Sequence, residues 1–230
     1  MKIAVIGTGM VGRAIAGRLK GLGHDVVIGT REPAKTLART QPDGKGTPPF
    51  SQWYRDHPDI RVLTMPDAGS YGELVVNATG VASSLAALEH VGKENLANKI
   101  LLDITLPLDM SEGMPPRLFI VNDNSLGEEI QKRFPRTRVV KSLNTVQCEV
   151  MVRPAIIPGR HNIFVSGNDF DAKAIISNIL KDFGWTEDVI IDLGDITTCR
   201  AVEMYSRLLF TVAEYYGDYF SNISIIRRST

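Results

Sequence analysis

Short apolar runs alternate with longer amphipathic segments along most of the 230 residues. The apolar runs predict β-strands at residues 2–6, 25–29, 60–64, 73–78, 99–104, 138–143, 162–167 and 188–193. Apolar residues recur at helical spacing between most of these runs, most clearly over Asp171 to Phe183 and over Thr197 to Tyr216. This alternation predicts an α/β fold with a doubly wound, mostly parallel sheet.

Two segments between the strands have features of their own. Residues 40–58 contain four of the prolines and predict a surface loop, with a short helix at 50–55. Ser125 and Glu128 form the pattern of a capping box, which predicts a helix that begins there and ends at Pro135.

The first 31 residues hold the most specific pattern in the chain. An apolar strand leads into Gly7, Gly9 and Gly12 in G-x-G-x-x-G register, and a helix and a second strand follow. In a Rossmann-type unit these glycines provide a tight turn, a close approach of backbone to pyrophosphate, and close packing of helix on strand. The helix N-terminus then favours the bound phosphates. The motif predicts dinucleotide binding, and the alternative is a glycine-rich turn that binds nothing.

The end of the second strand indicates which dinucleotide binds. NAD-binding units usually have Asp or Glu there to accept a hydrogen bond from the ribose 2′-hydroxyl. This chain has Thr30 and Arg31, with Lys35 one turn later, and a carboxylate appears only at Glu32. A hydroxyl, a guanidinium and an ammonium suit a 2′-phosphate. We therefore expect NADP(H), and the alternative is a solvated basic turn.

Further candidates lie after other strands, because ligands of open α/β sheets bind beyond the carboxyl ends of the strands. The segments at that edge are expected to be Asn77–Gly80, Asp103–Pro107, Leu143–Thr145 and Gly167–Asp169. The strongest predicted cofactor contacts are Asn77, Ala78 and Thr79, together with Ile104, Thr105, Leu106 and Pro107. Asn144 and Thr145 suit cofactor contact and ordinary turn chemistry equally. Cys148 suits a small buried apolar role better than a place in the cleft.

Composition narrows the class of protein. The net charge is zero, which gives no indication of binding to nucleic acid or to an anionic membrane. The two cysteines are too few and too far apart for a disulfide framework or a zinc site. No apolar stretch approaches the roughly 18 residues of a transmembrane helix. These features predict a cytoplasmic protein without a metal.

No recognisable set of catalytic residues appears in the sequence. G-x-S-x-G, H-E-x-x-H and C-x-x-C motifs are absent, and no lysine occurs from residue 182 onward. The β-hydroxyacid dehydrogenases use a catalytic lysine on a helix that follows a similar nucleotide domain. Its absence favours direct hydride transfer between two cofactors, which needs positioning and exclusion of water more than a proton relay.

The chain resembles the NADP oxidoreductases that depend on the deazaflavin coenzyme F-420. The resemblance covers nearly the whole length. It rests on GTGMVG at 7–12, IGTRxxxK at 28–35, VVNATG at 75–80, DITLPL at 103–108, VVKSLNTV at 139–146, FVSGND at 164–169 and DLGDITTCRAVEM at 192–204. The loop at 40–58 and Asn144, where the archaeal pattern tends to have His, depart from the family.

The resemblance implies a set of site residues and a domain plan. Its implied cofactor contacts are Thr8, Gly9, Met10 and Val11 at the pyrophosphate and nicotinamide, Thr30, Arg31 and Lys35 at the 2′-phosphate, and Ala78, Leu102, Ile104 and Cys148 along the cleft. Residues 1–146 would form the NADP-binding Rossmann domain. Residues 147–230 would form a small C-terminal α/β extension for substrate binding and dimerisation. The aromatic residues Tyr205, Phe210, Tyr215, Tyr216, Tyr219 and Phe220 also favour a homodimer.

The expected function is an NADP(H)-dependent oxidoreductase that exchanges hydride with coenzyme F-420 or a flavin-type acceptor. One alternative is a reductase of small imines or carbonyls, like pyrroline-5-carboxylate reductase. That class has a large helical dimerisation domain, whereas one clear helix follows the last strand here. Another alternative is a non-catalytic module that senses NADPH. The cytosolic domain of the ferric metalloreductases is a further relative with this fingerprint.

Overall fold

A computed structural model describes residues 1–43, 46–80 and 83–228. The protein has an α/β fold with a mostly parallel sheet. The chain divides into two compact units. One contains Met1–Thr105 and Ile130–Arg138, and the other contains Leu106–Glu129 and Val139–Thr230. The boundary after residue 146, which the resemblance implies, stays a prediction.

The first unit is built on five parallel strands. They are β1 (Lys2–Ile6), β2 (Asp25–Thr30), β3 (Arg61–Thr64), β4 (Leu74–Asn77) and β5 (Ile100–Asp103). Their order is β5-β4-β1-β2-β3. In β1, the side chains of Ile3 to Ile6 are all fully buried. A central parallel strand is covered on both faces, so its sequence is continuously apolar rather than alternating.

Helices connect these strands. They are α1 (Met10–Gly21), α2 (Pro33–Leu37), α3 (Phe50–Asp56), α4 (Met65–Tyr71), α5 (Ser84–Val91) and α6 (Lys93–Leu96). Helix α1 buries Ile15, Ala16 and Leu19, which lie at helical spacing. Gly23 then takes a positive φ of 85° at the turn into β2. The short helix expected inside the 40–58 loop is confirmed as α3.

The remaining elements follow in chain order. They are β6 (Leu108–Asp109), β7 (Arg117–Leu118), α7 (Leu126–Arg133), β8 (Arg138–Ser142), α8 (Cys148–Val152), β9 (Ile163–Ser166), α9 (Phe170–Phe183), β10 (Ile190–Gly194), α10 (Cys199–Met204) and α11 (Ser206–Tyr216). Turns of 3₁₀ helix lie at Pro154–Ile156, Glu187–Val189 and Ile196–Thr198. All eight predicted strands are confirmed, whereas the antiparallel hairpin of β6 and β7 was not expected.

One strand runs in a direction that the sequence did not indicate. Strand β9 is parallel to β10 but antiparallel to β8, with Lys141 opposite Ser166. The carboxyl end of β9 therefore lies at the edge opposite to the end of β8. The expectation that Gly167–Asp169 and Leu143–Thr145 share one edge is wrong, because an apolar run has the same pattern in either direction.

Two helix predictions had different outcomes. The helix expected after Ser125 is confirmed, and Ser125 Oγ accepts from the Glu128 N–H at 3.1 Å and donates to the Glu128 carboxylate at 2.8 Å. The single helix expected over 197–216 is wrong, because it is divided into a 3₁₀ turn, α10 and α11. At the division, Ser206 Oγ donates to the Glu203 carbonyl at 2.6 Å, a local bond that competes with the helical pattern.

Within the described part of the chain, no helix has the length and apolar character needed to span a membrane.

Candidate dinucleotide site

A cavity of about 630 Å³ lies at the carboxyl edge of the first unit. Its volume is within the range of roughly 300–1,000 Å³ that is usual for ligand sites. The residues that line it come from the glycine turn, the end of β2, the 43–47 segment, the start of α4, and the β4–α5 region. They are Gly7, Thr8, Gly9, Met10, Val11, Gly29, Thr30, Arg31, Asp43, Thr47, Met65, Ala78, Thr79, Gly80, Ser83, Ala86, Ala87 and His90.

The glycine turn requires two of its three glycines for packing. Gly7 has a φ of 130°, and a Cβ added there would lie 2.2 Å from the Ala78 carbonyl oxygen. A Cβ added at Gly12 would lie 2.3 Å from the Gly7 carbonyl oxygen. Backbone cannot move aside cheaply, so any side chain at either position would push α1 away from the strands. The turn between β1 and α1 is therefore as tight as the motif predicts.

Gly9 has a different environment. It is the N-cap of α1, and a Cβ added there would meet no atom within 4 Å. Gly9 has no side chain that could cap the helix, and no acidic residue occurs in the first turn. The first N–H groups of a helix lack intrahelical partners and attract anions. The structure thus has an open cradle in front of these N–H groups, which suits a pyrophosphate.

Thr30 and Arg31 line the same cavity at the end of β2. Thr30 is buried, and its hydroxyl lies 2.9 Å from the Thr36 hydroxyl. Lys35 does not line the cavity and instead lies 3.4 Å from the carboxylate of Glu32, with both side chains exposed. An exposed pair of this kind is worth little, so it does not fix either group in place.

The predicted cofactor contacts divide into two groups. Those that line the cavity are Gly7, Thr8, Gly9, Met10, Val11, Thr30, Arg31, Ala78 and Thr79. Those of the first unit that do not line it are Gly12, Lys35, Asn77, Leu102, Ile104 and Thr105. Whether any of these residues contacts a cofactor stays a prediction.

Asn77 is one of the predicted contacts that do not line the cavity. Its amide Nδ2 donates to Ser84 Oγ at 2.7 Å and to Asp103 Oδ1 at 2.9 Å, and its Oδ1 accepts from Thr79 Oγ1 at 2.8 Å. Thr105 Oγ1 donates to the same Asp103 carboxylate at 2.7 Å. This buried network joins the ends of β4 and β5. Its effect is to hold Thr79, which does line the cavity.

Asn144 and Cys148 belong to the second unit. Asn144 is buried, and its Nδ2 donates to the Val202 carbonyl at 2.9 Å. Cys148 is buried as well, and burial, followed by the neighbouring charge of Glu149, raises the pKa of its thiol. A thiol with a raised pKa is protonated near neutral pH and is a poor nucleophile.

Several lining residues were not singled out from the sequence. Ser83 and His90 each lie three and four positions from the adjacent pair Ala86 and Ala87, so the four residues share one face of α5 and its N-terminus. That spacing could have identified them once Ala78 and Thr79 were candidates. Asp43 and Thr47 had no such signal, because they lie in the irregular 40–58 segment.

Two arginines surround Thr8. Arg13 Nε donates to the Thr8 carbonyl at 2.9 Å, and Arg39 Nη2 donates to Thr8 Oγ1 at 3.3 Å. Both guanidinium groups lie over the ring of Phe50, at 5.3 and 5.8 Å from its centroid. Burial, followed by the charge of Arg39, lowers the pKa of Arg13. The corner of the cavity beside Thr8 is therefore positively charged.

The residues that the structure describes contain no candidate metal site. No group of three His, Cys, Asp or Glu side chains there could hold a metal ion. The fold, the open cradle at Gly9 and the cations beside the cavity define a dinucleotide-binding α/β protein.

Comparisons with known proteins identify the family. The family model described as coenzyme F-420-dependent NADP oxidoreductase matches residues 2–107. A crystal structure from Arthrobacter sp. FB24, provisionally named an F-420-dependent NADP-reductase, is 51% identical and covers 99% of this chain and 100% of its own, with a TM-score of 0.92. The chain belongs to this family and is an NADP-dependent oxidoreductase.

The match to two more distant relatives covers very different shares of their length. The F-420-dependent NADP reductase of Methanothermobacter marburgensis is 26% identical over 216 residues, and the match covers 92% of both chains. The metalloreductase STEAP3 of Rattus norvegicus is 26% identical over 204 residues, which is 88% of this chain but 36% of the metalloreductase. This chain thus spans about a third of the length of that relative.

Proposed function

We propose that the protein transfers a hydride between NADP(H) and the deazaflavin coenzyme F-420. The observation that carries the proposal is the cavity of the first unit, which Thr30, Arg31 and the open cradle at Gly9 all line. The names of the relatives from Methanothermobacter and Arthrobacter support the deazaflavin as the acceptor. A flavin-type acceptor would also accept a hydride, and the experiment described below therefore includes FMN and FAD.

NADP(H) is proposed to lie along this cavity. The first N–H groups of α1 bind the pyrophosphate, and Thr30 and Arg31 bind the 2′-phosphate. Lys35 leaves its weak ion pair with Glu32 and binds the 2′-phosphate as well, because a phosphate has more negative charge than one carboxylate. Ala78 and Thr79 contact the cofactor beyond the pyrophosphate.

We assign NADP binding to residues 1–146 and acceptor binding and dimerisation to residues 147–230. Asn77, Leu102, Ile104, Thr105, Asn144 and Cys148 remain candidates for contact with the cofactor. The exposed aromatic residues at the end of α11 and after it support a homodimer, since Tyr215 is 82% exposed and Tyr216 is 70% exposed. A cytoplasmic location also stays a prediction.

Positioning is the main contribution of the protein to catalysis in this proposal. Bound NADPH would supply a hydride from C4 of the nicotinamide to C5 of the deazaflavin, and a proton from solvent would complete the reduced ring. The residues of the cavity orient the cofactor and exclude water, which is the part of the barrier that a protein lowers in such a transfer. The Cys148 thiol, with its raised pKa, does not serve as a base at neutral pH.

The proposed acceptor is tested by stopped-flow oxidation of NADPH with coenzyme F-420, FMN, FAD and simple carbonyl or imine compounds. We expect rapid oxidation with F-420 and slower or no oxidation with the others. Oxidation with only an imine or carbonyl would favour a small-substrate reductase. Tight binding of NADPH with no oxidation by any acceptor would favour a sensing module.

A further inference from the structure

One wall of the cavity comes from a segment of the 40–58 loop that is fixed to the glycine turn. Arg13 Nη1 on α1 donates to the Pro48 carbonyl. The Asp43 N–H donates to the Thr47 carbonyl at 3.1 Å, and the Thr47 N–H donates to Asp43 Oδ1 at 2.9 Å. These bonds join Asp43 to Thr47, and both residues line the cavity.

Thr47 has a buried hydroxyl that no described residue satisfies. The residue is 6% exposed, and Thr47 Oγ1 is shielded from solvent and has no hydrogen-bond partner among the described residues. Buried polar atoms of folded proteins nearly always have a partner, and an exception calls for a specific explanation. Because Thr47 lines the cavity, rotation about its Cα–Cβ bond can turn the hydroxyl toward a bound molecule without moving the backbone.

The charges around Thr47 indicate what kind of group it would meet. Arg39 and Arg13 both contact Thr8, which lines the same cavity. The carboxylate of Asp43 is nearby, but it accepts the Thr47 N–H. Two guanidinium groups against one carboxylate leave this corner positively charged, which favours an anion. The Arg39 bond to the Thr8 hydroxyl is long, at 3.3 Å, so a phosphate can compete for it.

We propose that Thr47 is a further cofactor-binding residue, whose hydroxyl donates a hydrogen bond to a phosphate oxygen of NADP(H), and that Arg39, which contacts Thr8 of the same cavity, is a second contact. The inference rests on the proposed location of NADP(H) in this cavity. It gives the 40–58 loop a role in binding.

The test replaces Thr47 with valine, which has nearly the same shape but lacks the hydroxyl. Isothermal titration should show NADPH binding weakened by roughly tenfold, the effect of losing one hydrogen bond to a charged group. Thr47→Ser should bind NADPH nearly as well as the wild type. Thr40→Val, at an exposed position of the same loop, is the matched control and should leave the affinity unchanged.

Thermal unfolding without cofactor provides a second readout. The melting temperature of Thr47→Val should equal or exceed that of the wild type, because the variant removes an unsatisfied buried hydroxyl. A lower melting temperature would mean that the hydroxyl already has a partner in the free protein, and would overturn the proposal. Arg39→Gln should also weaken NADPH binding, and normal binding by that variant would remove Arg39 as a contact.

Titration with NADH, which lacks the 2′-phosphate, shows whether Thr47 contacts the 2′-phosphate or the pyrophosphate. If the contact is to the 2′-phosphate, Thr47→Val should weaken only NADPH binding, whereas contact with the pyrophosphate should weaken binding of both cofactors. If Thr47→Val binds both cofactors as tightly as the wild type does, the proposal for Thr47 is overturned. Tight binding of NADPH by the wild type would still leave the proposed function intact. A wild type that binds neither cofactor would contradict the proposed function and this inference with it.

Discussion

Gly9 is a position where an added methyl group should impair binding far more than folding. A Cβ there enters open space in the proposed phosphate cradle, and the backbone angles of Gly9 suit any residue. We expect Gly9→Ala to weaken NADPH binding roughly tenfold or more. Its free energy of unfolding should fall by at most about 1 kcal/mol, because alanine is a poorer N-cap than glycine.

Two other glycines of α1 provide the controls for Gly9→Ala. Gly21→Ala has no neighbour within 4 Å to disturb and should leave NADPH affinity unchanged. Gly12→Ala would meet the Gly7 carbonyl and should destabilise the fold itself. Titration calorimetry and denaturant unfolding measure both properties. Normal NADPH affinity in Gly9→Ala would mean that the cofactor does not lie over this turn.

Arg31 should determine the preference for NADPH over NADH. Loss of one group that makes charge-assisted hydrogen bonds costs about 1.5–3 kcal/mol, which corresponds to roughly 10- to 150-fold in affinity. Arg31→Asp should have a larger effect, because the carboxylate repels the 2′-phosphate and accepts from the free 2′-hydroxyl of NADH. Titration of both cofactors with wild type and variant checks the prediction. An unchanged ratio of the two affinities would contradict it.

Single residues of the site were predictable where local chemistry defines them. Gly7, Gly9, Thr30 and Arg31 line the cavity and lie within regular elements or directly after them, so spacing alone places them. Thr47 was not predictable, because its place depends on a bond between Arg13 and Pro48 that joins residues 35 positions apart. The sequence gives no indication of such a bond.

Helix α7 depends on a buried ion pair at its N-terminus. Glu203 accepts from the Leu126 N–H at 2.8 Å and from the Gly127 N–H at 3.0 Å, and it lies 2.8 Å from Lys141 Nζ. Both charged side chains are almost wholly buried. The carboxylate therefore caps the helix and neutralises the lysine at the same time.

Removal of this carboxylate should be strongly destabilising. We expect Glu203→Gln to lower the free energy of unfolding by about 3–5 kcal/mol, because it leaves a buried ammonium without its counter-charge. Denaturant unfolding measures the loss. Lys141→Met combined with Glu203→Gln should recover part of it. Glu187→Gln is the control, since that carboxylate is exposed and lies 3.8 Å from Lys181. Equal stability of Glu203→Gln and wild type would contradict the role of the pair.

The strands and most helices could be predicted from the sequence, whereas the direction of one strand and the division of one helix could not. Every predicted strand forms, because a buried strand needs a run of apolar residues that the sequence displays. The direction of β9 was missed, since direction depends on the connection from β8 and leaves no periodic signal. The division between α10 and α11 was missed for a local reason, namely the bond from Ser206 Oγ to the Glu203 carbonyl.

The assembled protein is expected to be a homodimer. Leu208 and Tyr215 lie two turns apart on α11, and both are more than half exposed. Light scattering should give the mass of a dimer at micromolar concentration. The double variant Leu208→Glu with Tyr215→Glu should be a monomer of unchanged helical content, because buried charges oppose association. Asn178→Glu, at an exposed polar position of α9, should stay dimeric. A monomeric wild type would contradict the prediction.

Direct hydride transfer from NADPH to the deazaflavin is the central claim, and isotope transfer tests it. NADPH with deuterium at both C4 positions is mixed with excess enzyme and coenzyme F-420 in ordinary water for a single turnover. Mass spectrometry of the reduced deazaflavin should show one deuterium atom at C5, because in the proposed transfer the hydride passes directly from C4 of the nicotinamide to C5 of the deazaflavin. Reduced deazaflavin without deuterium would show that the hydrogen came from solvent, and would contradict the account.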